Sequence, residues 1–221
     1  MRLLLALASL LTACATARPL VPLGAGGAAV EASVPGVLVE GDTYVAPVGV
    51  LLLGGRYGLS DALEVRARIH AFTLAKGIVG LEGGAVYHVR PARGLAPGLH
   101  LTGDVSVLTS PAHWGSDLPE GARGATSLGV LADVEPLGWL RPYVVVDQTV
   151  VWYDGAYVLS AMAGAQVALG RFELSLEVGL VGLNHDTRAF TEPYVGLGGH
   201  GAVWLSWGLA YRLGAAAGQA R

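Results

Sequence analysis

Very little in this sequence is charged. Asp, Glu, Lys and Arg make up 14% of the 221 residues, against roughly 25% in an average soluble domain, which makes a solvated cytosolic enzyme a poor fit. Lysine is nearly missing, with Lys76 the only one, although soluble sheet edges usually carry it. No run of Lys or Arg exists, and 14 basic side chains face 17 acidic ones, which excludes a strongly basic nucleic-acid binder. Cys14 is the only cysteine, so there is no pair to form a disulfide. Long apolar runs are missing too, apart from one short stretch at the N-terminus, so there is no candidate membrane-spanning helix. What is abundant is hydrophobicity, at 52%, together with 33 glycines. Such a composition excludes intrinsic disorder.

The N-terminal stretch opens on Met1 and Arg2 and runs apolar from Leu3 to Leu11, relieved only by Ser9. It is too short to cross a bilayer as a helix and has the form of a signal peptide over residues 1–13. Leu11, Thr12, Ala13 and Cys14 resemble the lipobox of bacterial lipoproteins. The resemblance implies an exported protein of a diderm envelope in which Cys14 is the lipid anchor. Ala15, where no Asp follows the cysteine, is similar to lipoproteins sent to the outer membrane. Residues 14–26 then read as a flexible Pro/Gly/Ala spacer.

Downstream, the pattern has period two. Leu63, Val65, Ala67, Ile69 and Ala71 alternate with Glu64, Arg66, Arg68 and His70, and Phe172, Leu174, Leu176, Val178 and Leu180 alternate with Glu173, Ser175, Glu177 and Gly179. Strict alternation gives a strand one apolar and one polar face. About ten strands follow, at 27–34, 44–57, 62–73, 77–90, 98–109, 124–135, 141–152, 156–169 and 171–183, with a last one ending near 213. The range allowed is 8 to 12, because the first strand and the stretch 193–201 are weakly patterned. In 143–152, Asp147 and Gln148 fall on opposite faces, which leaves the facing of that strand open.

Alternation admits two barrels: apolar residues pointing inward, as in a lipocalin, or outward to lipid around a polar lumen. Three features favour lipid. The strands are long, about as long as tilted bilayer crossings require. Lysine is scarce. The aromatics gather at strand ends: Tyr57, Tyr87, Trp139, Tyr143, Phe172 and Tyr211 at one, and Tyr44, Phe72, Trp114, Trp152, Tyr153, Tyr157, Phe190 and Tyr194 at the other, with Trp204 and Trp207 mid-strand. Connections at the first end are short, whereas 110–123 and 184–192 are long. Across residues 27–213 the chain resembles bacterial outer-membrane β-barrels, which implies an all-β, closed, antiparallel, up-and-down transmembrane barrel. A tail, 214–221, follows where many such barrels finish on an aromatic residue.

The predicted lumen face collects Glu64, Arg66, Arg68, His70, Glu82, His88, Asp104, Glu173, Glu177 and Arg212, along with Glu31, Arg56, Arg90 and His100. Buried charges must be paired, so the expected arrangement is an ion-pair network filling the lumen; the alternative is a narrow polar pore. Outer loops carry Glu40, Asp42, Asp117, Glu120, Asp154, Asp186 and Glu192 against Lys76, Arg123 and Arg188, a balance of −4; the inner side carries Arg18, Arg93, Arg141, Arg171 and Arg221 against Asp61, a balance of +4. An acidic outer rim favours a cationic or basic partner. His113 with Asp117 and His185 with Asp186 are too sparse to define a metal site. No Ser/His/acid or paired-acid constellation is recognisable in sequence, and Gly196, Gly198, Gly199 and Gly201 lack the following helix of a phosphate loop. The expectation is a non-enzymatic, cofactor-free, lipid-anchored outer-membrane barrel with a structural or surface-interaction role. Its partners are outer-membrane lipid and the export and barrel-assembly machinery. A small pore for polar solutes, a membrane-embedded hydrolase and a periplasmic lipocalin-like lipoprotein are the alternatives.

Overall fold

The computed structural model describes residues 18–40, 45–74, 78–110, 121–152, 155–186, 195–197 and 200–213. Its strands are β1 (Ala28–Glu40), β2 (Val45–Gly49), β3 (Leu52–Gly58), β4 (Leu63–His70), β5 (Val79–Arg90), β6 (Gly98–Ser110), β7 (Gly121–Asp133), β8 (Leu140–Val151), β9 (Tyr157–Leu169), β10 (Phe172–Asp186) and β11 (His200–Leu213). Each pairs antiparallel with its neighbour, and β11 closes on β1 from Ala28↔Leu213 to Val37↔Trp204. The result is a closed up-and-down barrel.

Its eleven segments make ten staves, because β2 and β3 pair successive parts of β1. The break between them lies opposite Pro35, which has no N–H to give the ladder: pairing with β3 ends at Ser33↔Leu52 and pairing with β2 begins at Gly36↔Gly49. The first strand thus runs past the expected residue 34 to Glu40, and the third stave stops at His70, where Ala71–Leu74 form a helical turn. Both chain ends of the barrel and the short links 58–63, 90–98, 133–140 and 169–172 lie at one end, called the near end below.

The wall has its apolar side outward. Leu128 is 62% exposed and Leu176 58%, while Glu64 and Glu177 are each 1% exposed. This inverts the soluble pattern and answers the choice between the two barrel classes: Ile69, Leu101, Leu174 and their equivalents form an apolar outer band, as a transmembrane barrel requires. Tyr57, Tyr87, Trp139 and Phe172 lie outward at the near end, with Phe172 against Tyr211 at 4.9 Å between ring centroids, and Trp152 and Tyr157 lie outward at the far end.

One aromatic assignment changes: Tyr143, expected in the near-end girdle, points into the lumen. The mid-strand Trp204 is also buried in the lumen. Tyr44, Trp114, Tyr153, Phe190 and Tyr194 fall outside the described residues, as does the side chain of Phe72.

Candidate functional site: the lumen network

All but one of the residues predicted for the lumen face point inward. Glu64, Arg66, Arg68, His70, Glu82, His88, Asp104, Glu173 and Glu177 are buried, and Arg212 is partly so at the near end. Arg90 is the exception. A register shift between His88 and Arg90 in the β5–β6 ladder turns it out to an exposed position. The proposed lipid anchor Cys14 lies outside the described residues.

On β3 to β6 the charges meet between staves one or two apart. Arg66 binds Asp104 through Nε at 2.8 Å and Nη2 at 2.5 Å, the two-pronged geometry that suits guanidinium to carboxylate. Arg68 pairs with Glu82 and stands 3.7 Å from Glu31. Arg56 reaches Glu173 at 2.6 Å, Glu31 at 3.2 Å and Glu64 at 3.3 Å, and Arg212 also pairs with Glu173. Glycine makes room for such groups. A Cβ on Gly84 would lie 1.9 Å from Asp104 Oδ1, and one on Gly129 would lie 2.0 Å from Asp147 Oδ1.

Toward the near end the network becomes a string. His88 Nε2 is 3.2 Å from Glu64, His88 Nδ1 is 2.7 Å from His100 Nδ1, and His100 Nε2 is 2.9 Å from Asp133. Asp133 also accepts from Arg141, whose other nitrogen reaches Glu135 at 2.6 Å. The two rings thus link Glu64 on β4 to Asp133 on β7.

Sequence reasoning missed one part of the site altogether. Arg18 to Leu23, assigned above to the flexible spacer, enter the lumen from the near end. Arg18 is 1% exposed and binds Asp147 at 2.5 Å and Glu177 at 3.2 Å. Burial opposes its charge, but the two carboxylates outweigh that and raise its pKa above the ordinary arginine range. Leu20 is fully buried in a cluster with Val37, Leu131, Tyr143, Val145, Val158, Met162, Val181, Ala202 and Trp204. The backbone is tied as well: Leu23 N–H donates to Glu64 at 2.6 Å, and Arg212 donates to the carbonyls of Val21 and Pro22 at 3.0 and 3.4 Å.

A flexible spacer does not describe residues 18–23, because their apolar and charged side chains both find buried partners. Nor does the +4 tally of the near end survive, since Arg18 lies in the lumen and Arg141 is engaged with Asp133 and Glu135. The open facing of β8 is settled with Asp147 inward and Gln148 outward. Tyr143, in turn, donates its hydroxyl to Glu177 at 3.3 Å.

Of the loop pairs, His185 bonds the Tyr157 carbonyl at 2.8 Å and His113 with Asp117 lies outside the described residues. Most of the acidic outer rim, Asp42, Asp117, Glu120, Asp154 and Glu192, is outside them too, as is the side chain of Glu40. Among the described residues, no three His, Cys, Asp or Glu side chains are grouped as a metal site.

No family model matches this chain, and no curated protein matches it in sequence. Solved structures with a similar fold include an outer membrane channel, COG4313, from Pseudomonas putida F1 (8% identity, 86% of this chain and 96% of that one, TM-score 0.47). A de novo designed transmembrane β-barrel (14%, 87% and 99%, 0.39) and the outer membrane protease OmpT of Escherichia coli (10%, 84% and 97%, 0.36) are others.

Proposed function

We propose that the protein is an integral outer-membrane β-barrel whose lumen is closed by its own N-terminal segment, with a structural or surface-interaction role and no catalysis. The observation that carries this is the inverted wall, apolar outside and charged inside, with Arg18 and Leu20 packed in the lumen. In this reading the near end is periplasmic and Cys14 carries lipid. Arg18 lies four positions after Cys14, a reach of about 13–14 Å when extended. Lipid, the export machinery and the barrel-assembly machinery are the partners, and the acidic loop residues suit a basic partner at the cell surface.

Two measurements test the membrane reading. The folded barrel should migrate differently on a gel before and after heating, and brominated lipid should quench Trp139, Trp152 and Trp207 while sparing the lumenal Trp204. Extraction by salt or mild detergent, with no heat-dependent mobility, would overturn it in favour of a periplasmic lipoprotein. Conductance of the intact protein in liposomes should stay at background; a clear conductance would replace the closed lumen with a pore. Incorporation of labelled palmitate, lost in Cys14→Ser, checks the anchor.

A further inference from the structure

Asp147 on β8 and Glu177 on β10 are buried acids whose ion pairs, among the described residues, are both made with Arg18. The wall thus supplies the anions and the N-terminal segment supplies the cation. Two carboxylates face one guanidinium, and the acceptors nearby exceed what Arg18 uses. Glu177 Oε1, Gln166 Oε1 and the hydroxyls of Ser160 and Ser206 have no hydrogen-bond partner, and all four residues are at most 3% exposed. Ser160 stands opposite Asp147 in the β8–β9 register, and Ser206 opposite Glu177 in the β10–β11 register. Paired positions of this kind bring side chains within about 5 Å of each other. Tyr143 donates to Glu177 and is itself part of the buried apolar cluster with Val145, Met162 and Trp204. A buried, acceptor-rich socket suits a planar, weakly hydrated guanidinium better than a compact, strongly hydrated ammonium or metal ion.

The geometry points to a lumenal binding site for a small guanidinium-bearing cation, built from Asp147, Glu177, Tyr143, Ser160 and Ser206 and filled in cis by Arg18. A free ligand of this class competes with Arg18, and its binding loosens the 18–23 segment. The inference rests on lumen packing and holds whether or not the wall faces lipid. A tethered ligand acts at an effective concentration on the order of millimolar, so the intact protein responds weakly to free cation and removal of the Arg18 side chain exposes the socket.

The test is a titration of the purified full-length Arg18→Ala protein in detergent with methylguanidinium chloride, followed by thermal unfolding. The melting temperature should rise saturably, with half the effect at low millimolar concentration, and by more than in the wild type. Sodium chloride at matched ionic strength should not reproduce the rise, and Asp147→Asn added to Arg18→Ala should abolish it. A response no larger than that of the wild type or of sodium chloride, or one that survives Asp147→Asn, overturns the proposal. If Arg18→Ala fails to fold, Arg18→Gln is titrated instead. Should that variant fail as well, both are refolded with methylguanidinium present: recovery of folded barrel supports the site, and no recovery overturns it.

Discussion

On β3 to β6, Arg56, Arg66 and Arg68 meet Glu64, Glu82 and Asp104, so three bases and three acids are interleaved on adjoining staves. Across the lumen, on β8 and β10, Asp147 and Glu177 take their cation from a residue that belongs to no strand. The ion pairs of the first side run from strand to strand, whereas those of Asp147 and Glu177 run from the wall to the N-terminal segment. Substitutions on the two sides should therefore differ in cost.

Arg18→Ala should have the largest effect. It leaves two buried carboxylates without their guanidinium, and removing one partner of a buried pair costs about 3–5 kcal/mol. Urea unfolding of the barrel in lipid vesicles measures it. A loss below about 1 kcal/mol, the scale of an exposed ion pair, would erase the distinction between the two sides. Glu82→Gln should cost less. Arg68 would still have Glu31 at 3.7 Å and Gln still accepts a hydrogen bond, so the loss is about 1.5–3 kcal/mol, the worth of one bond to a charged group. If Glu82→Gln proves as costly as Arg18→Ala in the same titration, the β3–β6 side has no redundancy and the comparison fails.

The same contrast explains what could be read from the sequence. Glu64, Arg66, Arg68 and His70 were legible because Leu63, Val65, Ala67 and Ile69 separate them without interruption, and Glu173 and Glu177 stand in the same kind of frame. On β8 the frame is lost, because Val144, Val145 and Val146 are apolar on both faces and only the structure places Asp147 inside. The bulge after His88 shifts Arg90 out of phase, and alternation cannot register an extra residue. Arg18 was invisible for another reason: a segment without periodicity carries no facing information. A signal was nevertheless present. Leu20, Val21 and Leu23 are more apolar than a solvated spacer needs, and in the structure Asp147 and Glu177 stand opposite Ser160 and Ser206, not opposite a basic residue. Only contacts between distant parts of the chain join those two facts.

The smallest effect should come from His88→Gln. The His88–His100 pair is faced by Glu64 on β4, which also holds Arg56 and the Leu23 N–H, and by Asp133 on β7, which also holds Arg141. Replacing His88 removes the 2.7 Å link to His100 and the contact to Glu64, but leaves Glu64 with Arg56 and Asp133 with Arg141. The variant should lose about 1 kcal/mol, the net worth of a hydrogen bond, in the same urea titration. A loss as large as that of Arg18→Ala would mean that the near end of the lumen depends on the ring pair and not on Arg56, Arg141 and Arg212.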